Sequence, residues 1–143
     1  MPLYSVFKHI DTLFTLVHKS NFNTSIQAMV LIQQIASALD GTKGASKETA
    51  TKSVIDRYYR TIYASLHDPR LATSSKQAMY LNLLFKTIKQ DKSLDRTKAI
   101  VRRFVQVLST GGSASPEFVA GGLYLLGEVC FGLLLHNRVL TPS

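Results

Sequence analysis

Between Val54 and Lys89 large apolar side chains recur every three or four residues, the spacing that gathers them onto one face of an α-helix. Ile55, Tyr58, Tyr59, Ile62, Tyr63 and Leu66 form the first stripe, with Asp56 and Arg60 four apart on its flank as a helix-compatible ion pair. The run breaks at His67-Asp68-Pro69-Arg70, because the residue before a proline is pushed out of the α region and proline cannot continue a helix. Ser74-Ser75-Lys76-Gln77 then reads as a capping box, in which the Ser hydroxyl and the Gln amide each satisfy a backbone N–H. Beyond it Met79, Tyr80, Leu83, Leu84 and Ile88 make one stripe and Leu81 and Phe85 a second. Asn82, Lys86 and Lys89 keep a polar line, so this helix is expected to lie between neighbours with one wet edge.

The same period predicts a helix over residues 3–19, with Val6, Ile10, Leu13, Phe14 and Val17 inward. After a break at 20–23, Thr24-Ser25-Ile26-Gln27 repeats the capping-box pattern, and Ala28, Met29, Ile32, Ile35, Ala36 and Leu39 continue as a helical stripe to Asp40-Gly41. Residues 41–47, small and polar, predict a loop. A fifth helix is expected over 94–109, burying Thr97, Ile100, Val101, Phe104, Val105 and Leu108. A loop over 110–114 follows, and Ser115-Pro116 serve as N-cap and first-turn proline of a sixth helix. TSIQAMVL at 24–31 and SSKQAMYL at 74–81 echo one another fifty positions apart. The expected fold is therefore all-α: a single domain over 1–143 made of about three stacked antiparallel helical hairpins, a HEAT/armadillo-like α-solenoid. A compact six-helix bundle would show similar stripes; the internal echo favours the solenoid.

At 45% hydrophobic and 18% charged residues the chain has a globular balance that argues against overall disorder. The formal charge of +8 points to an acidic partner: nucleic acid, an anionic membrane or an acidic protein. That charge is uneven. Residues 86–103 hold Lys86, Lys89, Lys92, Arg96, Lys98, Arg102 and Arg103 against Asp91 and Asp95, while residues 1–40 are neutral and 104–143 slightly acidic. A solvated helix face accounts for such a pattern; a phosphate-contacting patch accounts for it equally and carries a salt-dependent affinity. The apolar stretch 118–135 is barely long enough to cross a bilayer and contains Glu128, which favours a buried or partner-covered helix over a span. No signal peptide is expected at the N-terminus, since Lys8, His9 and Asp11 interrupt its apolar residues. The single cysteine, Cys130, excludes an internal disulfide and is expected to be a buried free thiol.

Convergent reactive groups are missing. His9, His18, His67 and His136 lie far apart without metal-ligand spacing, Gly111-Gly112 and Gly121-Gly122 do not form a phosphate loop, and His9 and Asp11 face different ways on a helix. No catalytic residue, metal or cofactor is expected, and no small-molecule substrate. Tyr58, Tyr59 and Tyr63 could stack on bases, but their helical spacing favours core or interface. Asn82 reads as a structural hydrogen bonder. Arg70 projects from the turn and could pair with Asp56 or Asp68, or with a phosphate or a partner's acid; an internal pair is favoured.

Taken together, SNFNTSIQAMVLIQQI at 20–35 and DRYYRTIYASLHDPRLATSSKQAMYLNLLFK at 56–86 resemble the nucleolar-complex family of ribosome biogenesis factors, which includes CCAAT-binding factors, with the likeness spanning most of residues 5–108. The resemblance implies a nuclear, nucleolar, non-enzymatic scaffold in large (60S) subunit assembly. Such a scaffold binds another nucleolar-complex protein, pre-60S assembly factors and pre-rRNA, and no membrane. The alternative implied by the family's other name is a DNA-binding regulator at CCAAT-type promoters, although no basic-zipper pattern is present. A generic protein-interaction solenoid is the third reading. In the scaffold reading the residues themselves suggest Asp68, Pro69 and Arg70 as a partner-facing or structural corner, and the uneven charge suggests Lys86, Lys89, Lys92, Arg96, Lys98, Arg102 and Arg103 as the nucleic-acid contact. The resemblance also implies a central fragment of a longer protein, with the likeness ending after Cys130 and with exposed faces prone to associate.

Overall fold

A computed structural model describes residues 3–40, 45–110 and 115–140, with side-chain detail for most of them. Six helices follow in order: α1 (Leu3–Lys19), α2 (Phe22–Asp40), α3 (Ala45–Ser65), α4 (Gln77–Gln90), α5 (Leu94–Ser109) and α6 (Pro116–Leu140), with a short 3-10 turn, Pro69–Thr73, between α3 and α4. No strand occurs among the described residues. The all-α class expected from the helical periods is thus observed. The chain divides into two compact units, Met1–Lys76 and Gln77–Ser143.

In the first unit α2 packs against both α1 and α3. Its core takes Ile10, Phe14 and Val17 from α1, Phe22, Ile26, Met29 and Ile32 from α2, and Tyr58, Tyr59, Ile62 and Leu66 from α3 and its end. Side chains at i, i+3, i+4 and i+7 meet there because that spacing stacks them on one face, and burying each of them contributes about 1.5–3 kcal/mol of transfer free energy. Val6, Leu13, Ile35 and Ile55 lie at the edge of the stripes, half-buried, and Tyr63 sits outside, edge-on to His67 at 6.4 Å between ring centres. Two polar ties fix the helices. Ser25 Oγ donates to the Val17 carbonyl at 2.7 Å, binding α2 to the end of α1. Arg57 of α3 bonds Asp11 of α1 at 2.8 Å and lies 4.1 Å from the centre of the Phe14 ring.

Both expected capping boxes are absent. Helix α2 begins at Phe22, two residues before Thr24, because Asn21 caps it by accepting the Thr24 N–H at 2.9 Å. At the second site Ser74 closes the 3-10 turn: its N–H is donated to the Leu71 carbonyl, and its hydroxyl accepts the Lys76 N–H at 3.0 Å. Gln77 Oε1 instead accepts from Ser115 Oγ, 38 positions away. The fifty-residue echo therefore aligns the interior of one helix with the approach to another. The expected loop over 41–47 is also shorter at its far end, since residues 45–47 open α3; residues 41–44 lie outside the described residues.

In the second unit α6 packs on α4 and on α5. Tyr80, Leu83, Leu84, Ile88, Ile100, Phe104, Leu108, Phe118, Leu125 and Val129 are buried there, and Phe104 meets Phe118 edge to face at 6.2 Å. Helix α5 has the boundaries its period predicts, although Val105 is 45% exposed and Val101 half-buried. Ser115 accepts the Phe118 N–H at 3.1 Å, so the N-cap ahead of Pro116 is present as expected, while residues 111–114 of the preceding loop lie outside the described residues. Gly121 and Gly122 let α6 approach closely. A Cβ on Gly121 would meet a Leu81 methyl at 2.8 Å, and one on Gly122 would meet both Leu108 methyls at 2.8 and 2.9 Å and the Phe104 ring edge at 3.0 Å.

One expectation fails on burial. Cys130 is exposed, because it lies on the side of α6 away from Leu125 and Val129. Asn82 is exposed on α4 with Lys86 and Lys89, the wet edge expected of that helix. By length and composition alone Pro116–Leu133 is apolar enough to cross a membrane, and 22% of it is buried, so much of its apolar surface is uncovered.

Candidate functional site

The corner between α3 and α4 is built from its aspartate outward. With Pro69 at the first position of the 3-10 turn, Asp68 takes an extended conformation and its Oδ1 accepts the Arg70 N–H at 3.0 Å. The Arg70 guanidinium folds back on the same carboxylate, Nε to Oδ1 at 3.0 Å and Nη2 to Oδ2 at 2.7 Å. Its Nη1 donates to the Ser20 carbonyl at 3.3 Å, and its plane lies 5.4 Å from the centre of the Phe22 ring. Of the pairings open to Arg70, the structure shows Asp68. The side-chain bonds from Arg70 hold the Asp68 carboxyl below its ordinary value of 3.8, against a smaller opposing push from burial; the same pairing raises Arg70.

Asn23 completes this corner. Its Oδ1 accepts from Ser74 Oγ at 2.7 Å and its Nδ2 donates to Ser75 Oγ at 3.0 Å, so the α1–α2 turn is clamped to the segment that leads into α4. Asn23 was not singled out from sequence. A signal existed in the run of small polar residues on both partners, but the 51-residue separation hides the pairing.

The seven basic residues of 86–103 divide into kinds. Lys86 and Lys89 are exposed on α4, Lys92 is exposed between α4 and α5, and Lys98 and Arg102 are exposed four apart on α5. Lys89 Nζ lies 5.8 Å from the Phe85 ring centre. Arg96 and Arg103 are half-buried. Arg96 is engaged inward: its Nη2 bonds Asp91 Oδ1 at 2.9 Å, and the Asp91 side chain is fully buried. The same oxygen accepts the Ser93 N–H at 2.9 Å, so Asp91 and Arg96 staple the α4–α5 connection together. An arginine holding a buried carboxylate is a structural cation, because its removal would strand the acid out of water. The remaining exposed cations share the second unit, with exposed Asp95 three positions before Lys98.

No group of three or more His, Cys, Asp or Glu among the described residues is placed to hold a metal ion. Helix faces, helix ends and a rigid corner are what the described surface offers a ligand.

In class this is an all-α chain of packed helices with a basic segment on its second unit. It belongs to the CBF/Mak21 family, whose sequence model matches residues 25–137, seven positions beyond the point where the likeness was expected to end. The ribosome biogenesis protein NOC1 of Chaetomium thermophilum is 50% identical over 85% of the chain, and human CCAAT/enhancer-binding protein zeta is 41% identical over the same share. Protein SLOW WALKER 2 of Arabidopsis thaliana is 35% identical over 82%. The chain spans about a tenth of the length of these relatives, 10% in each case. No solved structure matches it.

Proposed function

We propose that this chain is a non-enzymatic scaffold segment of a nucleolar factor in large (60S) ribosomal subunit assembly, built from stacked helical hairpins in the manner of a solenoid. It binds another nucleolar-complex protein and pre-60S assembly factors through helix faces, and pre-rRNA phosphates through its exposed cations. The observation that carries this reading is the 50% identity to a ribosome biogenesis protein over 85% of the chain. The charge supports it: five of the seven cations in 86–103 are exposed, at positions where phosphate oxygens can reach them. A second reading, a DNA-binding regulator at CCAAT-type promoters, draws on the name of the human relative, CCAAT/enhancer-binding protein zeta.

The test is affinity purification of the tagged chain from nuclear extract, with bound RNA and protein identified. A variant with Lys86→Glu, Lys89→Glu, Lys98→Glu and Arg102→Glu is run beside it. Arg96 is left intact, since reversing it would set two acids together in the buried Asp91 site. Large-subunit precursor RNA and assembly factors bound by the wild type, with RNA reduced in the variant, support the proposal. Equal recovery of proteins by both, without RNA, keeps the scaffold and removes the RNA contact. Recovery of neither overturns it, and preference for a CCAAT duplex over a scrambled one selects the second reading.

A further inference from the structure

Helix α6 is apolar on both sides, and its own unit covers one side. Phe118, Gly122, Leu125 and Val129 are buried. At about 100° per residue, Cys130, Leu123, Gly127, Ala120, Phe131 and Tyr124 occupy the opposite half in that angular order, with Glu128 at its edge. All seven are exposed, Leu123 to 58%, Tyr124 to 73% and Phe131 to 61%. A soluble helix that is apolar all round is ordinarily covered all round.

The glycines say how closely something approaches. Gly121 and Gly122 are accounted for by Leu81, Leu108 and Phe104, which leave no room for a Cβ. Nothing lies within 4 Å of a Cβ built on Gly127, and glycine in a helix interior costs about 0.5–1 kcal/mol relative to alanine. Gly127 sits at the centre of the exposed apolar half.

Between Pro116 and Leu133 the chain has Glu117 and Glu128 and no Lys or Arg. That composition disfavours nucleic acid, and an interfacial membrane helix carries Lys or Arg on its polar face. A crossing helix would also draw in α4 and α5, which pack on its other side and expose Lys86, Lys89 and Arg102.

We propose that this half of α6 is a self-association surface on which the α6 of a second copy of this chain docks antiparallel, with Gly127 facing Gly127 at the crossing. The residue pattern is self-complementary in that arrangement. Leu123 and Cys130 lie on one flank of Gly127, four residues before it and three after; Tyr124 and Phe131 lie on the other, three before and four after. A two-fold axis through Gly127 sets Tyr124 against the partner's Phe131 and Leu123 against the partner's Cys130, twice each, as an isologous interface requires. The chain is strongly basic elsewhere, so two copies approach with least repulsion along this cation-free stretch. The axis also brings the two Glu128 side chains to the same rim, where their repulsion weakens the pairing.

Sedimentation velocity of the purified 143-residue chain over a concentration series tests this. The wild type is expected to associate reversibly to a dimer. Gly127→Leu is expected to weaken association by about tenfold or more, since it wedges a side chain into the crossing. At concentrations where both proteins are monomeric it should retain full helicity and an unchanged or raised Tm, which separates loss of docking from loss of folding. Glu128→Gln should tighten the dimer. Gly127→Cys in a Cys130→Ser background should form a disulfide-linked dimer on mild oxidation. A chain that stays monomeric at high micromolar concentration overturns the proposal, as does association indifferent to Gly127→Leu. Weakening by Glu128→Gln would mean that the carboxylate meets a cation and would sink the two-fold pairing. A monomer that binds neutral phosphatidylcholine vesicles, keeping that binding in Gly127→Leu and losing it in Phe131→Asp, would assign the face to lipid instead.

Discussion

Asp68 performs three jobs with one carboxylate: it caps the 3-10 turn, pairs with Arg70, and through Arg70 reaches the Ser20 carbonyl and the Phe22 ring. Asp68→Asn keeps an acceptor for the Arg70 N–H but loses the charge, and with Arg70 half-exposed the cost is about 1 kcal/mol. The pH dependence has a definite sign. The carboxyl titrates lower in the folded protein than its ordinary 3.8, so its contribution is complete above that value and drains away as pH falls through the lower folded one. Thermal melts of wild type and Asp68→Asn should differ fully at neutral pH and converge as the pH falls below 3.8 and through the lowered folded value. Asn23→Ala removes both clamps to Ser74 and Ser75 and should cost about 1–2 kcal/mol in urea unfolding at any pH above 4 or so, because no charge is involved.

Among elements, α6 carries glycines of two kinds, and substitution tells them apart. Gly122→Ala forces a methyl against both ends of Leu108 and the buried Phe104 ring, and should destabilise by about 1–3 kcal/mol. Gly127→Ala meets nothing in its own chain and gains helix propensity, so the monomer should be stabilised by about 0.5–1 kcal/mol. Chemical denaturation of the two variants at low protein concentration measures both. Helix ends show how side chains choose among partners. The Ser-x-x-Gln pattern at 74–77 has the right residues for a capping box, yet Gln77 accepts from Ser115 and Ser74 is held by Asn23. Local pattern specified polar groups in need of partners, and tertiary packing supplied different ones.

For the whole molecule the governing quantity is charge. Arg96 is spent on Asp91, so the count of basic residues in 86–103 overstates what a nucleic acid can meet. On the proposed RNA contact, with about four exposed cations engaged, the affinity for single-stranded RNA should fall with salt at a log–log slope of about −3, measured by fluorescence titration. Lys98→Ala or Arg102→Ala should each reduce that slope by about 0.7. Arg96→Ala should act differently, lowering stability while leaving the slope of the folded fraction unchanged, because it leaves Asp91 buried without its cation.

Much of this was legible in order along the chain. Helical periods and proline positions set α1 and α5 to the residue, ended α3 close to Leu66 and placed the cap of α6 at Ser115, because these depend on neighbours within one or two turns. Summed charge located the basic segment for the same reason. What sequence left open depends on contacts tens of residues apart. The Asn23 clamp spans 51 positions, the Arg57–Asp11 pair 46, and the Ser115–Gln77 bond 38. Burial of α6 was open as well: its composition is apolar on every side, so periodicity cannot say which half the core takes, and Cys130 was expected inside. Close approach to Leu81, Leu108 and Phe104 at Gly121 and Gly122 decided that one half packs inward, and the other, centred on Gly127, faces out.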